Sequence, residues 1–533
     1  MANGKSVNGK KTSSSPDSFN QKESSLRSSA SLTVADVRLR LLAWCSGLLL
    51  MFGLLKFGTP VILQDQIESP QGLIQWLFFP WPIQTAYMMF AVLGMAAVRM
   101  LPFRVKAMPK WLWLPLAWLA WQFASAFFTI DQKLTHMVLA HFMVLVGLFY
   151  IGFFMLSKNT RLKGVAGPAT FGLILAMWTA TEQKFGGLEA TKQAIPQSPY
   201  FDTGMTWNQV YPQAFLEKTI EDQAWLQSLR ADEDMLQQTA QSLGLVPLLN
   251  PQGAKESQLE RDLAFLEKIG KNRVFGTFGG YPNALAAAIW LLLPMSLVCI
   301  WQMTHRLQKP SRALITGLVA VWAVACVVWS GSKGGWLIGM LSVGLLFLLS
   351  RVSRRVKAAL VLSLVIGGSF AFAWKYQAYF EKGATSVGAR FEYWKAGWHT
   401  SFEHPLLGSG PGTFMRAFAK VKPDDAEMTR LTHNDYLQQA SDAGWPSAIM
   451  YLLWIGGSLW IMRPKSLANN LVYEMVWIGL VALAFQNTIE FGLYIPALSW
   501  PFFLLLGWLW GQRLPQPGPK PAFDQASSDL ASS

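Results

Sequence analysis

Twelve apolar runs of about bilayer-spanning length are what most constrains the fold of this chain. They lie at 39–58, 81–98, 111–130, 134–156, 165–181, 281–303, 313–330, 335–349, 358–374, 446–462, 471–488 and 494–512. A bilayer core about 30 Å thick takes roughly 20 helical residues to cross, and backbone polar groups inside it must be satisfied within the helix. Of the 533 residues 52% are hydrophobic and only 14% charged, with 25 Trp and 34 Phe. A soluble domain of this length has no way to hide that surface. The expected fold is an all-α polytopic membrane protein with about twelve transmembrane helices.

Charge sets the orientation. Five connectors are basic and carry no Asp or Glu: Arg99, Arg104, Lys106 and Lys110; Lys158, Arg161 and Lys163; Arg306, Lys309 and Arg312; Arg351, Arg354, Arg355 and Lys357; Arg463 and Lys465. By the positive-inside rule these connectors and both termini are cytoplasmic, and the alternate connectors face out. The formal net charge of +14 is therefore mostly a topology signal, which argues against nucleic acid as a partner. The expected organisation is a disordered cytoplasmic tail (1–38), helices 1–5 (39–181), a periplasmic helical loop (182–278), helices 6–9 (279–374), a periplasmic catalytic loop (375–445), helices 10–12 (446–512) and a second tail (513–533). Cys45, Cys299 and Cys326 sit inside apolar runs without a CxxC spacing and read as packing residues.

The first long outward loop carries helical apolar spacings: Phe215, Leu216 and Ile220; Leu226, Leu229 and Met235; Leu259, Leu263, Leu266 and Ile269. It reads as a small helical cap at the membrane surface. Asp232, Glu233 and Asp234 have the Asp-x-Asp form of metal-dependent glycosyltransferases, but in so acidic a helical run they read as a solvated face. The spans lack internal repeats and mid-membrane acids or bases, which weakens a transporter reading. His136 and His141 read as hydrogen-bonded structural histidines.

The polar stretch from Arg390 to Gly444 looks most like a site. Its end, THNDYLQQASDAG, reads as a helix start in which Thr432 and Asp435 form a capping box, placing His433 in the first turn, where the helix dipole favours a neutral imidazole. The outward connectors after the fifth span offer five conspicuous polar groups: Arg273, Lys333, Arg390, His433 and Glu490. Cations beside a neutral base suit the transfer of a glycan from a lipid diphosphate to a hydroxyl. Arginine forks meet the charge that grows on the departing phosphate oxygens, and the base takes the acceptor's proton. Glu490 reads as a structural hydrogen-bond partner. Gly408, Gly410 and Gly412 read as a tight turn or an anion nest.

The pieces RVFGTFGGYPNALAA, SGSKGG, ARFEYW with HPLLGSGPGTF, THNDYLQQASDAG and NTIEFGLYIPA, spread from Arg273 to the last span, resemble the O-antigen ligase and polymerase superfamily of bacterial inner-membrane glycosyltransferases. The resemblance implies a GT-C-like fold and an undecaprenyl-diphosphate-linked glycan as donor. It implies a saccharide acceptor, either lipid A core or a growing polysaccharide, and no cofactor or obligatory metal. It makes Arg273, Arg390 and His433 the catalytic residues, with Lys333, Asn283, Asn434, Tyr436, Gly408 and Gly410 as candidates for substrate binding. Lys333 stands where the family usually has Arg, and Glu490 where Asp is usual. Ligase and polymerase differ only in the acceptor, and the choice stays open, as does a protein Ser/Thr acceptor. The rivals are a transporter of an anion or lipid-linked glycan, with a polar path through to the cytosol, and an assembly subunit. Convergence of Arg273, Arg390 and His433 on one outward cavity separates a transferase from both.

Overall fold

Each of the twelve apolar runs holds a helix. The computed structural model describes residues 34–67, 69–100, 109–155, 159–200, 205–242, 258–377, 385–423, 428–464 and 470–513. The expected tails fall outside these residues, apart from 34–38 and 513. The principal helices are α1 (Val34–Lys56), α2 (Ile83–Met100), α3 (Leu114–Ala126), α4 (Gln132–Met155), α5 (Asn159–Glu182), α6 (Pro282–Met303), α7 (Lys309–Ser330), α8 (Lys333–Leu349), α9 (Arg354–Lys375), α10 (Thr385–Glu403), α11 (Asp435–Leu452), α12 (Leu471–Gln486) and α13 (Pro496–Gly511). Seven helices among the described residues are long and apolar enough to cross a membrane, and α8 and α12 are shorter apolar helices. The chain is thus an all-α multi-pass membrane protein. Strand structure among the described residues amounts to one antiparallel pairing, Pro199–Tyr200 with Met205–Thr206.

Within a bilayer, helices gain by close van der Waals approach, which small residues permit. α4 packs along α13, and here a Cβ on Gly152 would strike the Leu504 carbonyl while one on Gly507 would strike that of Phe149. Gly479 of α12 abuts the Leu291 backbone of α6 in the same way. Every residue of α13 is buried, whereas α9 has no buried residue and shows Leu362, Ile366, Phe370 and Trp374 to its surroundings. A central helix apolar on all sides and a peripheral one with an exposed apolar surface are what lipid as solvent allows.

The helices between α5 and α6 close a small core of their own around Phe215, Leu216, Leu226, Leu229, Leu259, Leu263, Leu266 and Ile269, joined by Tyr211 and Trp207. Met235 is the exception: it is exposed, and Leu236 packs inward in its place. Asp232 accepts from the Met235 amide (3.0 Å) at the start of the helix Glu233–Ser242, an ordinary N-cap bond.

α11 breaks at Ala443–Gly444, where Gly444 takes φ 78°. A side chain there would meet the carbonyl of Leu406, so glycine alone lets the polar half of α11 turn into its apolar half beginning at Pro446.

Candidate active site

Five chain segments come together at one end of the bundle, where α7 ends and α8 begins. The basic connectors before α7 and α9 lie at the other ends of these helices. Val274 donates to the Trp329 carbonyl (3.4 Å), and the amides of Phe275 and Gly276 both donate to Gln183 Oε1 (2.9 and 2.8 Å). Arg273, fixed by these neighbours, donates from Nε to the Ser330 carbonyl (2.8 Å) and from Nη2 to Asn283 Oδ1 (3.1 Å). Asn283, in the first turn of α6, donates in turn to Glu490 Oε1 (2.7 Å).

Arg390 reaches the same carboxylate from α10. Its Nη2 donates to Glu490 Oε1 (2.6 Å), and its Nε donates to the Ile489 carbonyl (3.2 Å). His433 completes the cluster, with Nδ1 lying 3.3 Å from Glu490 Oε2. Its ring is stacked on Tyr393 (centroids 5.8 Å apart) and meets the edge of Phe491 (4.7 Å). Arg273, Arg390 and His433, 160 positions apart between first and last, are thus joined through Asn283 and Glu490. Lys333 stands at the first position of α8, its Nζ 5.5 Å from the centre of the Tyr376 ring.

Charge at the site is unbalanced. Burial works to raise the Glu490 carboxyl, but His433, Arg390 and Asn283 outweigh it and hold the group below its ordinary value, so it stays ionised. Burial, followed by repulsion from Arg273, Arg390 and Lys271, pulls the Lys333 ammonium down to about 8. Among the described residues, the cations Arg273, Arg390 and Lys333 gather near this one carboxylate, a setting suited to an anionic ligand.

The local structure at His433 differs from the capping-box expectation. Asn434 is the N-cap, its Oδ1 accepting from the amides of Tyr436 and Leu437 (both 3.1 Å). Thr432 Oγ1 donates to the Asn434 carbonyl, and Asp435 turns inward to accept from the Leu493 amide (2.8 Å). Asn is among the best N-caps, and the turn before α13 claims the acid. His433 therefore precedes the helix, with φ 53°, and the dipole argument for a neutral ring lapses. Among the described residues only Asn272 (φ 50°) and His433 are non-glycine residues with positive φ. One adjoins Arg273 and the other is the proposed base, a coincidence of strained backbone with candidate chemistry.

Several sequence candidates hold structure together. Asn434 is occupied in capping. Tyr436 donates to the Ala484 carbonyl (2.9 Å), tying α11 to α12. The glycine loop has no amide left for an anion. Gly408 donates to the His404 carbonyl, Ser409 to Ser441, Gly410 to Asp442 and Gly412 to the Asp442 carboxylate. The substrate-binding reading of Gly408 and Gly410 gives way to a tight turn that clamps α11. His141 is buried, with Nε2 2.9 Å from the Leu493 carbonyl, as a structural histidine should be.

The central place of Glu490 is what sequence reasoning underrated. The signal was an acid in an otherwise apolar turn, NTIEFGLYIPA. Tyr393 was missed as well, though it follows Arg390 by three residues on one helix and so shares its face.

Residues 318–452 match the family model described as O-antigen ligase, roughly a quarter of the chain, taking in Lys333, Arg390 and His433. This bears out the resemblance to the O-antigen ligase superfamily. Comparison with curated proteins finds none that matches the chain.

Proposed function

We propose, with the O-antigen ligase superfamily as the premise, that the chain moves a preassembled glycan from undecaprenyl diphosphate to a hydroxyl on a saccharide acceptor at the periplasmic face of the bacterial inner membrane. In this reading about twelve helices span the bilayer with both termini in the cytoplasm. The observation that carries the proposal is the bonded chain Arg273–Asn283–Glu490, with Arg390 and His433 on the same carboxylate.

In the step, Nδ1–H of His433 donates to Glu490, which leaves Nε2 to accept the acceptor hydroxyl's proton. The freed oxygen attacks the anomeric carbon. The bond from that carbon to the diphosphate oxygen breaks with its electron pair on the oxygen, and a glycosidic bond forms in its place. The proton held on His433 then passes to solvent. Glu490 stabilises the imidazolium, and Arg390, Arg273 and Lys333 meet the charge growing on the diphosphate.

The test is incubation of the purified protein, without added metal, with an undecaprenyl-diphosphate glycan and either a lipid A core, a second carrier-linked glycan or a Ser/Thr peptide. Transfer to the lipid A core is expected, and His433→Ala is expected to lower it by about 10²–10⁴-fold at normal expression. No transfer to any acceptor refutes the proposal, and full activity in His433→Ala removes the base from it.

A further inference from the structure

Beside the arginines stands a phenol that the mechanism above does not use. Tyr376 follows α9 directly, and its backbone amide closes that helix onto the Phe372 carbonyl (3.0 Å). Its ring packs on Phe372 (centroids 5.0 Å apart) and lies beneath the Lys333 ammonium. Its hydroxyl is sealed from solvent and has no hydrogen-bond partner among the described residues. A buried hydroxyl without a partner loses its hydration for nothing in return, so such a group calls for a reason.

The surroundings indicate what that is. Tyr376 is close enough to Arg273 for the two charges to couple, and Arg273 couples also to Arg390 and Glu490. Arg273 gives Nε and Nη2 to Ser330 and Asn283, which leaves Nη1 without a described acceptor. Arg273, Lys333 and Tyr376 therefore bring a guanidinium N–H, an ammonium and a phenol O–H close together. Burial raises the phenol above its ordinary value against the pull of Arg273, so it keeps its proton and can serve as a donor.

We infer that Tyr376 is a donor-binding residue, whose hydroxyl gives a hydrogen bond to a phosphate oxygen of the lipid diphosphate that Arg273 and Lys333 neutralise. This rests on the transferase reading for the identity of the ligand, and extends it to a residue that the mechanism above leaves unused. The bond strengthens as the sugar departs and charge collects on the leaving oxygen, so Tyr376 contributes to kcat as well as to binding.

The experiment measures binding of geranylgeranyl diphosphate to the full-length protein in detergent, alongside glycan transfer. Tyr376→Phe keeps the ring, its packing on Phe372 and its contact with Lys333, and removes only the donor. It is expected to weaken binding of the probe roughly tenfold, the usual scale for a hydrogen bond to a charged group, and to lower kcat, with an unchanged melting temperature. Equal affinity in Tyr376→Phe and wild type overturns the inference and leaves the transferase reading intact. Tenfold weaker binding in a protein that transfers no glycan supports the phenol contact and sinks the transferase reading. Wild-type protein that does not bind the probe overturns the inference too. Replacement of Tyr376 by a fluorotyrosine, which is more acidic, is expected to shift the loss of probe affinity to lower pH. A shape-filling role for the ring would leave that pH profile unmoved, and an unmoved profile counts against the inference even if Tyr376→Phe proves unstable.

Discussion

Two carboxylates at the polar end of the bundle face similar problems and meet them in opposite ways. Glu490 and Asp442 are both buried, and each is bound by three protein partners. Around Glu490 the partners are Arg390, Asn283 and His433. Around Asp442 they are the Gly412 amide (2.8 Å), Gln438 Nε2 (2.9 Å) and the Tyr494 hydroxyl (3.2 Å), all on one oxygen, while the other oxygen has no partner. Glu490 stays charged because cations are close. Burial pushes Asp442 up to about 7, and its neutral donors pull it back only in part. Burial of a polar group is thus no sign of function by itself. What separates the two centres is the company of cations and an imidazole a quarter exposed at one of them, against neutral partners and closed packing at the other. In the proposed transferase one cluster receives the ligand, while the other holds α11 at its bend.

The comparison breaks most readily at Glu490. Glu490→Gln keeps the shape but removes the charge that orients His433 and holds Arg390, and a loss in kcat of about 10³–10⁴-fold is expected, the scale seen when an orienting carboxylate becomes an amide. Because Glu490 acts in large part through His433, the loss in Glu490→Gln combined with His433→Ala is expected to fall well short of the product of the two single losses. Steady-state transfer rates for the single and double variants check this, and losses that multiply would show that Glu490 has a separate role.

A smaller effect sharpens the contrast from the cation side. Lys333 titrates near 8 because burial and neighbouring Arg273, Arg390 and Lys271 all oppose its charge. Its ammonium is present below that pH and lost above it, so kcat/KM for the lipid diphosphate is expected to fall as pH rises through about 8. Lys333→Arg substitutes a guanidinium that does not titrate in this range and should flatten the profile. A wild-type profile that stays level well above pH 8 would remove Lys333 from the anion site.

Much of this was legible in the chain before any tertiary contact was known, for reasons that vary with the residue. The apolar runs are local signals, and each holds a helix. The break at Gly444–Pro446 was marked by its own residues. The meeting of Arg273, Arg390 and His433 followed from the chemistry of a lipid diphosphate and from the family motifs. Local rules failed where neighbouring residues competed for the same cap. Asn434 took the position that Thr432 and Asp435 were expected to share, since Leu493 claimed the acid. Phase failed by one residue at Met235, where the helix starts after Asp232 and turns Leu236 inward. Glu490 and the clamping role of the glycine loop were hidden because their partners lie far away in sequence, and no spacing encodes them.

The smallest expected effect on activity belongs to Asp442, and it is the one that tests whether the second centre is purely structural. Asp442→Asn retains an oxygen for Gly412, Gln438 and Tyr494 and places an NH₂ where the second oxygen has no partner. Transfer should stay within about twofold of wild type, as for substitutions that preserve packing and hydrogen bonds. Stability is where the change should register. Below about pH 4 the Asp442 carboxyl is neutral in folded and unfolded chains alike. Between there and about 7 the unfolded chain ionises while the folded one keeps its proton, so this group costs progressively more stability as pH rises, and the loss is complete above about 7. Asp442→Asn should remove that component, so that its melting temperature in detergent declines less than that of wild type from pH 5 to pH 8. A large fall in kcat with the melting curve unchanged would instead mean that Asp442 takes part in proton transfer, and that the two carboxylates are more alike than their neighbours suggest.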